Sequence, residues 1–414
     1  MTTLRIRTSL SSPQRYSYDG ELKKAVDIAD HYGFKLLNPL AIEKEDRDNA
    51  ERHGCLHEQA AIIRMMNADE SYKGLDTLLF AHTRKVPYKN KLELHLDVIG
   101  DKESSAEGLL FQATKEILRD YGHDDTLVTV NSVGGRETTS SFTQAINAFL
   151  RGRISDLDPE CRDGIRKSAF APLRCSHQAC IDVRASAPQS LNYLSEQSKQ
   201  HFKEVLEYLE SLDMPYVIDP SLVGSEHYTT RTVFAVGTPS VSKSEDEIAE
   251  IAAKEPNLEQ IPQRHLSNVL AWGERLDQLS KKLGAKKPIP AVHVTIDLNT
   301  ASTKERYSNA SAGSAPQAYV VQVGFPAKIQ TLRMNEDLRK AKIRVSVTLH
   351  KQSVTEQMDH ARIIGAPYIV IIGHKEVKDG AALIRHVHTN HQEAVPFSGL
   401  PSYLKTIYAS RKKA

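Results

Sequence analysis

An excess of charge of either sign is nearly missing from this chain. Its 54 lysines and arginines stand against 52 aspartates and glutamates, leaving a formal net charge of +2. A bulk electrostatic pull on nucleic acid is thereby excluded, so any RNA site has to be a local patch. Cysteine is also scarce, with four in 414 residues. That is too few for a disulfide framework, and a reducing cytoplasm is the expected compartment. No apolar run approaches the ~20 residues of a membrane span, and the start, Met1-Thr-Thr-Leu-Arg-Ile-Arg7, lacks the apolar core of a signal peptide. No membrane partner is expected. No phosphate-loop pattern is present either. Gly134-Gly135 lies in neither Gly-x-x-x-x-Gly-Lys-Ser/Thr nor Gly-x-Gly-x-x-Gly and reads as a turn.

What remains is an ordinary globular composition, 40% hydrophobic and 26% charged, in a chain long enough for two or three domains. Residues 21–32 carry Leu22, Ala25, Val26, Ile28 and Ala29 on one helical face, and Gly33 ends the helix before a strand at 34–40. Residues 91–99 alternate cleanly. Leu92, Leu94, Leu96 and Val98 fall on one face, and Lys91, Glu93, His95 and Asp97 on the other. The pattern predicts a half-buried strand of an antiparallel sheet. Helices are predicted over 106–121, 142–150 and 195–212, a strand over 127–133, and at most a short helix within the acidic stretch 240–265. Residues 299–317 are rich in Ser, Ala, Thr, Asn and Gly, with little to bury, and read as a boundary. Beyond it strands and helices alternate: strands at 318–323, 343–349, 368–372 and 382–388, helices at 329–341, 354–364 and 400–408. This predicts a small α/β domain with a largely parallel sheet.

Cys161, Cys175, His177 and Cys180 form the one metal-like grouping. Thiolates and imidazole suit tetrahedral zinc, and a hairpin could close the gap from Cys161. Buried or partly buried free thiols are the alternative.

The run Leu222-Val-Gly-Ser-Glu-His-Tyr-Thr-Thr-Arg-Thr-Val-Phe234 resembles the histidine-recognition segment of histidyl-tRNA synthetases. Leu222, Val223, Tyr228, Arg231, Thr232, Val233 and Phe234 agree with the family's pattern. Its catalytic arginine falls on Gly224, and its acidic residue after Thr-Val-Phe on Ala235. Other strings follow in the family's order. Tyr32-Gly-Phe-Lys-Leu-Leu-Asn-Pro39 resembles motif 1 of class II synthetases, the dimer-forming helix and strand. Asn131-Ser-Val-Gly134, Ser168-Ala-Phe-Ala-Pro-Leu-Arg-Cys175 and Ala187-Pro-Gln-Ser-Leu-Asn-Tyr-Leu194 resemble strings between motifs 2 and 3. Leu338-Arg-Lys-Ala-Lys-Ile-Arg-Val345 and the run from Gln357 to Glu376 resemble the anticodon-binding domain shared by histidyl, glycyl, threonyl and prolyl synthetases.

The resemblance implies a class II catalytic fold, an antiparallel sheet flanked by helices, over 1–300. It implies a helical insertion at about 136–215, a linker at 301–316 and an α/β anticodon-binding-type domain at 317–414. It also implies a homodimer built on motif 1. The reactive positions depart from the pattern. Counting back from Ile99-Gly100, the motif 2 Arg-Glu falls on Lys91 and Leu92, and the following glutamine on His95. In Ala291-Val-His-Val-Thr-Ile-Asp-Leu-Asn-Thr300, which aligns with motif 3, His293 and Asp297 replace glycines and Thr300 replaces the arginine. The family's Gly-Gly-Arg-Tyr-Asp survives as Gly273-Glu-Arg-Leu-Asp277. Guanidinium grips phosphate through a bidentate fork that lysine cannot form, and each such contact is worth ~3 kcal/mol or more in the transition state.

The expectation is therefore a catalytically impaired paralogue that binds tRNA or another RNA, or regulates a partner. The alternative is an active histidine–tRNA ligase, using ATP and magnesium, with a rebuilt site. Lys91, Glu93, His95, His227, Tyr228, Arg231 and Arg275 are the substrate-binding candidates. Lys91 and His95 read more readily as ordinary strand residues, Lys91 as a surface lysine and His95 as a solvated or hydrogen-bonded one. Lys351, Lys375 and Arg385 are the RNA-binding candidates, the latter two expected to share one sheet edge after Gly373, with solvated surface charge as the other reading.

Overall fold

The computed structural model describes residues 16–17, 21–37, 40–68, 77–86, 91–166, 168–240, 265–298, 308–309 and 316–411. The acidic stretch, most of the linker and Thr300 lie outside the described residues, as does the side chain of Lys91.

The body is built on an eight-stranded sheet in the order Lys35–Leu36, Leu78–Val86, Lys91–Ile99, Ala291–Asp297, Leu266–Arg275, Thr230–Pro239, Leu127–Ser132 and Tyr216–Ile218. The inner strands are antiparallel, and the two short edge strands pair in parallel. On one face Leu94, Leu96, Val98, Val294, Ile296, Val130 and Phe234 meet Ala25, Leu110, Phe111, Val205 and Leu209. Those partners come from the helices Glu21–His31, Ser105–Asp120 and Glu196–Ser211. Burying each such large side chain contributes about 1.5–3 kcal/mol. Local signals set the helix ends. The Ser195 side chain accepts from the Ser198 amide to cap one helix. Gly122, at φ 86°, lets the chain leave another through the left-handed region.

The Lys91–Ile99 strand departs from the half-buried expectation. Its leucine face is buried, but so are His95, fully covered, and Asp97, only 5% exposed, on its polar face. The strand is interior to the sheet, and the second face has its own cover. The His57–Ala68 helix lays Ile62 on Phe80 and Ile99 at one end. At the other end, Phe142, Phe170 and Leu173 pack on Val233, with Trp272 beside them. The stretch expected as one insertion divides. Residues from Arg136 to Ala185 form this cover, while Glu196–Ser211 belongs to the main core.

Beyond the boundary, a five-stranded sheet runs Val345–Val347, Ala318–Gln322, Tyr368–Ile372, Ala381–His386 and Gln392–Pro396. The first three strands are parallel and the last two antiparallel. Helices Phe325–Lys340 and Leu400–Arg411 pack on one face and Val354–Ile363 on the other. The Phe325–Lys340 helix also joins the body. Leu332 sits in the body's core, with Phe325 and Ile329 against it, and the Phe325 ring stands 5.0 Å from that of Tyr208. Arg119 bonds Glu336 at 2.9 Å, Arg339 bonds Glu116, and Arg344 bonds Asp30 at 2.8 Å. The two sheets are therefore packed together rather than strung apart.

Candidate active cleft

Strand register decides what the second face of the large sheet presents. One row across it reads His82, His95, Thr295, Trp272, Ala235 and Thr129. The next reads Phe80, Asp97, His293, Glu274, Val233 and Asn131. Arg84, Glu93 and Asp297 form a third. Three imidazoles thus line up in the middle of the face. His82 and His95 stack with centroids 4.6 Å apart and rings within 3° of parallel, and His95 lies 5.3 Å from His293. His293 Nδ1 is 2.7 Å from Asp97 Oδ1, and His82 Nε2 is 3.3 Å from Asp97 Oδ2. His95 Nδ1 meets Thr295 Oγ1 at 3.1 Å, while its Nε2 faces Glu93 at 3.3 Å. Arg84 donates to Glu93 at 2.7 Å and lies 3.7 Å from Glu58.

The array is dry, and that sets its charges. Burial holds His95 neutral, with its pKa down at about 3, against the opposing pull of Glu93. Burial works against ionisation of Asp97 and Glu93, but their partners win. His293 and His82 hold Asp97 well below the carboxylate range, and His95 and Arg84 hold Glu93 at about 2. A triphosphate laid on this face would meet ionised carboxylates, and the cation Arg84 is already paired.

The Leu222–Phe234 segment runs along the side of this face. Leu222 and Val223 sit in the apolar cover. Gly224 is enclosed. A Cβ there would come within 2.5 Å of the Thr229 side chain and closer still to Glu274 Oε2. Thr229 donates from its hydroxyl to that carboxylate, and burial holds Glu274 above the usual carboxylate range. Glu226 accepts from Ser168 Oγ at 2.7 Å, His227 is exposed, and Tyr228 is buried with its hydroxyl donating to the Gly54 carbonyl at 2.6 Å. A cleft of about 520 Å³ opens beside them, lined by Arg136, Glu226, His227, Lys281 and Lys282 among others.

Two substrate candidates point elsewhere. Glu274 faces the cleft, so its neighbour Arg275 projects through the other face. There Arg275 is fully buried, bonding both oxygens of Glu107 and the carbonyls of Asp101 and Glu103. Glu107 also accepts from His201 and Thr232, each at 2.9 Å. Arg231, in a bulge at φ 52°, donates to the Lys102 carbonyl at 2.7 Å. Both arginines are committed to the leucine side of the sheet. His82, Glu58 and Glu274 were not singled out from sequence. His82 had a signal in the alternation Phe80, His82, Arg84.

In the small domain, Lys351 and Lys375 follow the carboxyl ends of parallel strands. Arg385 does not share that edge. Its antiparallel strand places it opposite Ile369, near the other end, where it donates to Asn390 at 2.8 Å.

Comparison with known proteins agrees with these two architectures. Residues 317–407 match the anticodon-binding domain family. The chain is 25% identical over 344 residues to the histidine–tRNA ligase of Thermosynechococcus vestitus, covering 83% of this chain and 73% of that protein. It is 26% identical over 318 residues to that of Geobacillus thermodenitrificans, covering 77% and 70%. The crystal structure of apo Staphylococcus aureus histidyl-tRNA synthetase superposes with a TM-score of 0.50 and 16% identity, over 93% of this chain and 94% of that one. The chain belongs to the class II histidyl-tRNA synthetase-like family and carries the family's anticodon-binding-type domain at its carboxyl end.

Proposed function

We propose that this protein binds tRNA, as a homodimer, without activating histidine. The observation that carries the second half is the closed environment of Gly224. The family's arginine is replaced there by a residue whose side-chain space is filled by Glu274 and Thr229. The acidic, histidine-filled face beside it supports the same reading, because Arg84, the guanidinium in its Arg84, Glu93 and Asp297 row, is already paired with Glu93. The anticodon-binding domain match over 317–407 supports RNA as the ligand. Lys351 and Lys375, at one strand edge, are the proposed phosphate contacts.

Two measurements test this. Histidine-dependent ATP–pyrophosphate exchange should stay at the protein-free background, and exchange at the rate of an ordinary ligase would replace this reading with an active enzyme. Unmodified tRNA should bind the full chain with an affinity that falls with salt. Removing Lys351 and Lys375 together should flatten the log–log salt slope by roughly 0.7–0.9 per lost phosphate contact. Arg385→Ala, off that edge, should leave the slope unchanged. An unchanged slope in the double lysine variant would remove that edge from the site.

A further inference from the structure

We propose that Cys161, Cys175, His177 and Cys180 bind one structural zinc ion, which staples the apolar cover of the cleft. The four donors come from three short pieces of chain: the Pro159–Arg162 turn, the end of the Pro172–Arg174 turn, and the start of the Gln178–Ala185 helix. None of these is long enough to be stable alone, and they surround a small core containing Phe142, Leu157, Phe170 and Cys180.

Their reactive atoms converge. Cys161 Sγ and Cys175 Sγ are 3.0 Å apart, and His177 Nδ1 lies 3.2 Å from each of them. Cys180 Sγ is within 4.8 Å of both other sulfurs. A tetrahedral zinc with its usual bond lengths spaces sulfurs by about 3.8 Å and sulfur from nitrogen by about 3.5 Å. Seating the ion therefore takes a local expansion of about 0.8 Å between Cys161 and Cys175 and about 0.3 Å between His177 and each of them. The sulfurs are too close together to hold a multinuclear iron–sulfur cluster. A disulfide would use two sulfurs and leave an imidazole nitrogen aimed at the same point without a role.

The surroundings are those of a metal site. The His177 amide donates to Cys175 Sγ at 3.3 Å, which stabilises a thiolate. Two carboxylates stand near the His177 ring, Asp158 at 3.8 Å from Nδ1 and Glu160 at 4.0 Å from Nε2, and they favour a cation there. Arg184, 8% exposed, donates to the carbonyls of Leu173 and Cys175 at 2.8 and 3.0 Å. Its charge offsets the single negative charge left when three thiols give up their protons to solvent and bind a divalent ion. The stapled loop is the one that reaches the Leu222–Phe234 segment, through Ser168 and the Phe170 amide on Glu226.

The test uses the full chain, reduced and purified from zinc-supplemented culture. Elemental analysis should find about one zinc per chain, and cobalt(II) substitution should give the intense visible bands and thiolate charge transfer of a tetrahedral site. Zinc content should fall at least tenfold in Cys175→Ser and stay unchanged in Cys55→Ser, outside the cluster. His177→Cys should keep one ion while its cobalt charge-transfer band grows, a result that does not depend on a variant losing its fold. Wild-type protein without zinc and without a cobalt–thiolate spectrum would overturn the proposal. So would a Cys161–Cys175 disulfide in metal-free wild-type protein, or equal loss in Cys55→Ser.

Discussion

Adding a single methyl group at position 224 is the sharpest perturbation of the cleft. In Gly224→Ala the new Cβ arrives within 2.5 Å of Thr229 Cγ2 and Oγ1 and closer to Glu274 Oε2. Thr229 is 2% exposed and its hydroxyl ties Glu274 in place, so the pair does not swing aside freely. Overpacking of this kind costs about 1–3 kcal/mol. Displacing Glu274 also breaks its bond from Thr229, and hydrogen bonds to charged groups contribute about 1.5–3 kcal/mol. The two costs overlap, and ~3 kcal/mol is the expected loss in urea unfolding followed by circular dichroism. The cause is tested by a double-mutant cycle. In a Glu274→Ala background the same methyl enters a vacated space and should cost at least ~1 kcal/mol less. Gly224→Arg, which restores the family's residue, should lose still more stability and gain no pyrophosphate exchange. A loss under ~0.5 kcal/mol for Gly224→Ala, additivity with Glu274→Ala, or exchange in Gly224→Arg would each refute the reasoning.

Arg275→Met should cost about 3–5 kcal/mol in the same assay, because it leaves Glu107 charged and dry behind the sheet. Arg275→Lys should not rescue it, since lysine cannot span both carboxylate oxygens, and a cost near zero would show that water reaches Glu107. Acid should destabilise the protein early. His95 stays neutral in the fold down to a pKa of about 3 while its unfolded form protonates near 6.5, so the unfolded state holds the extra proton. Its contribution is full above 6.5 and is lost towards 3 at about 1.4 kcal/mol per pH unit. His95→Gln should flatten the stability curve between pH 6.5 and 4.5, above the range where Glu93 begins to titrate. An unchanged curve would mean that His95 is protonated in the fold. Light scattering at micromolar concentration should give twice the chain mass, and a monomer would remove the dimer that the motif 1 resemblance implies.

Much of the architecture was legible because it rests on local periodicity. Leu92, Leu94, Leu96 and Val98 point where their alternation puts them, and the α/β alternation after residue 317 gives that domain's sheet and helices. What failed needs information from across the chain. Nothing local tells that His95 and Asp97 are as buried as the leucines, because their cover comes from Ile62 and from residues past Arg136. Arg275 looked like a cleft residue by its motif, yet one step of a strand reverses its face, and Glu107 was waiting on the other side. Lys375 and Arg385 are near in sequence, but an antiparallel return carries Arg385 back along the strand. Gly224 was legible as a departure from the family pattern. Its enclosure by Glu274 and Thr229 was not.

The Phe325–Lys340 helix has a consequence for how the molecule behaves under load. It gives Ala327, Met334 and Leu338 to the small sheet's core and Leu332 to the large one's, so it is one beam shared by two floors. Its neighbours in the body, Ser105–Asp120 and Glu196–Ser211, carry Glu107 and His201, which brace the underside of the cleft sheet. The small domain is not a tethered hand free to swing toward a ligand. A pull on its strand edge is carried through packed side chains to the back of the cleft.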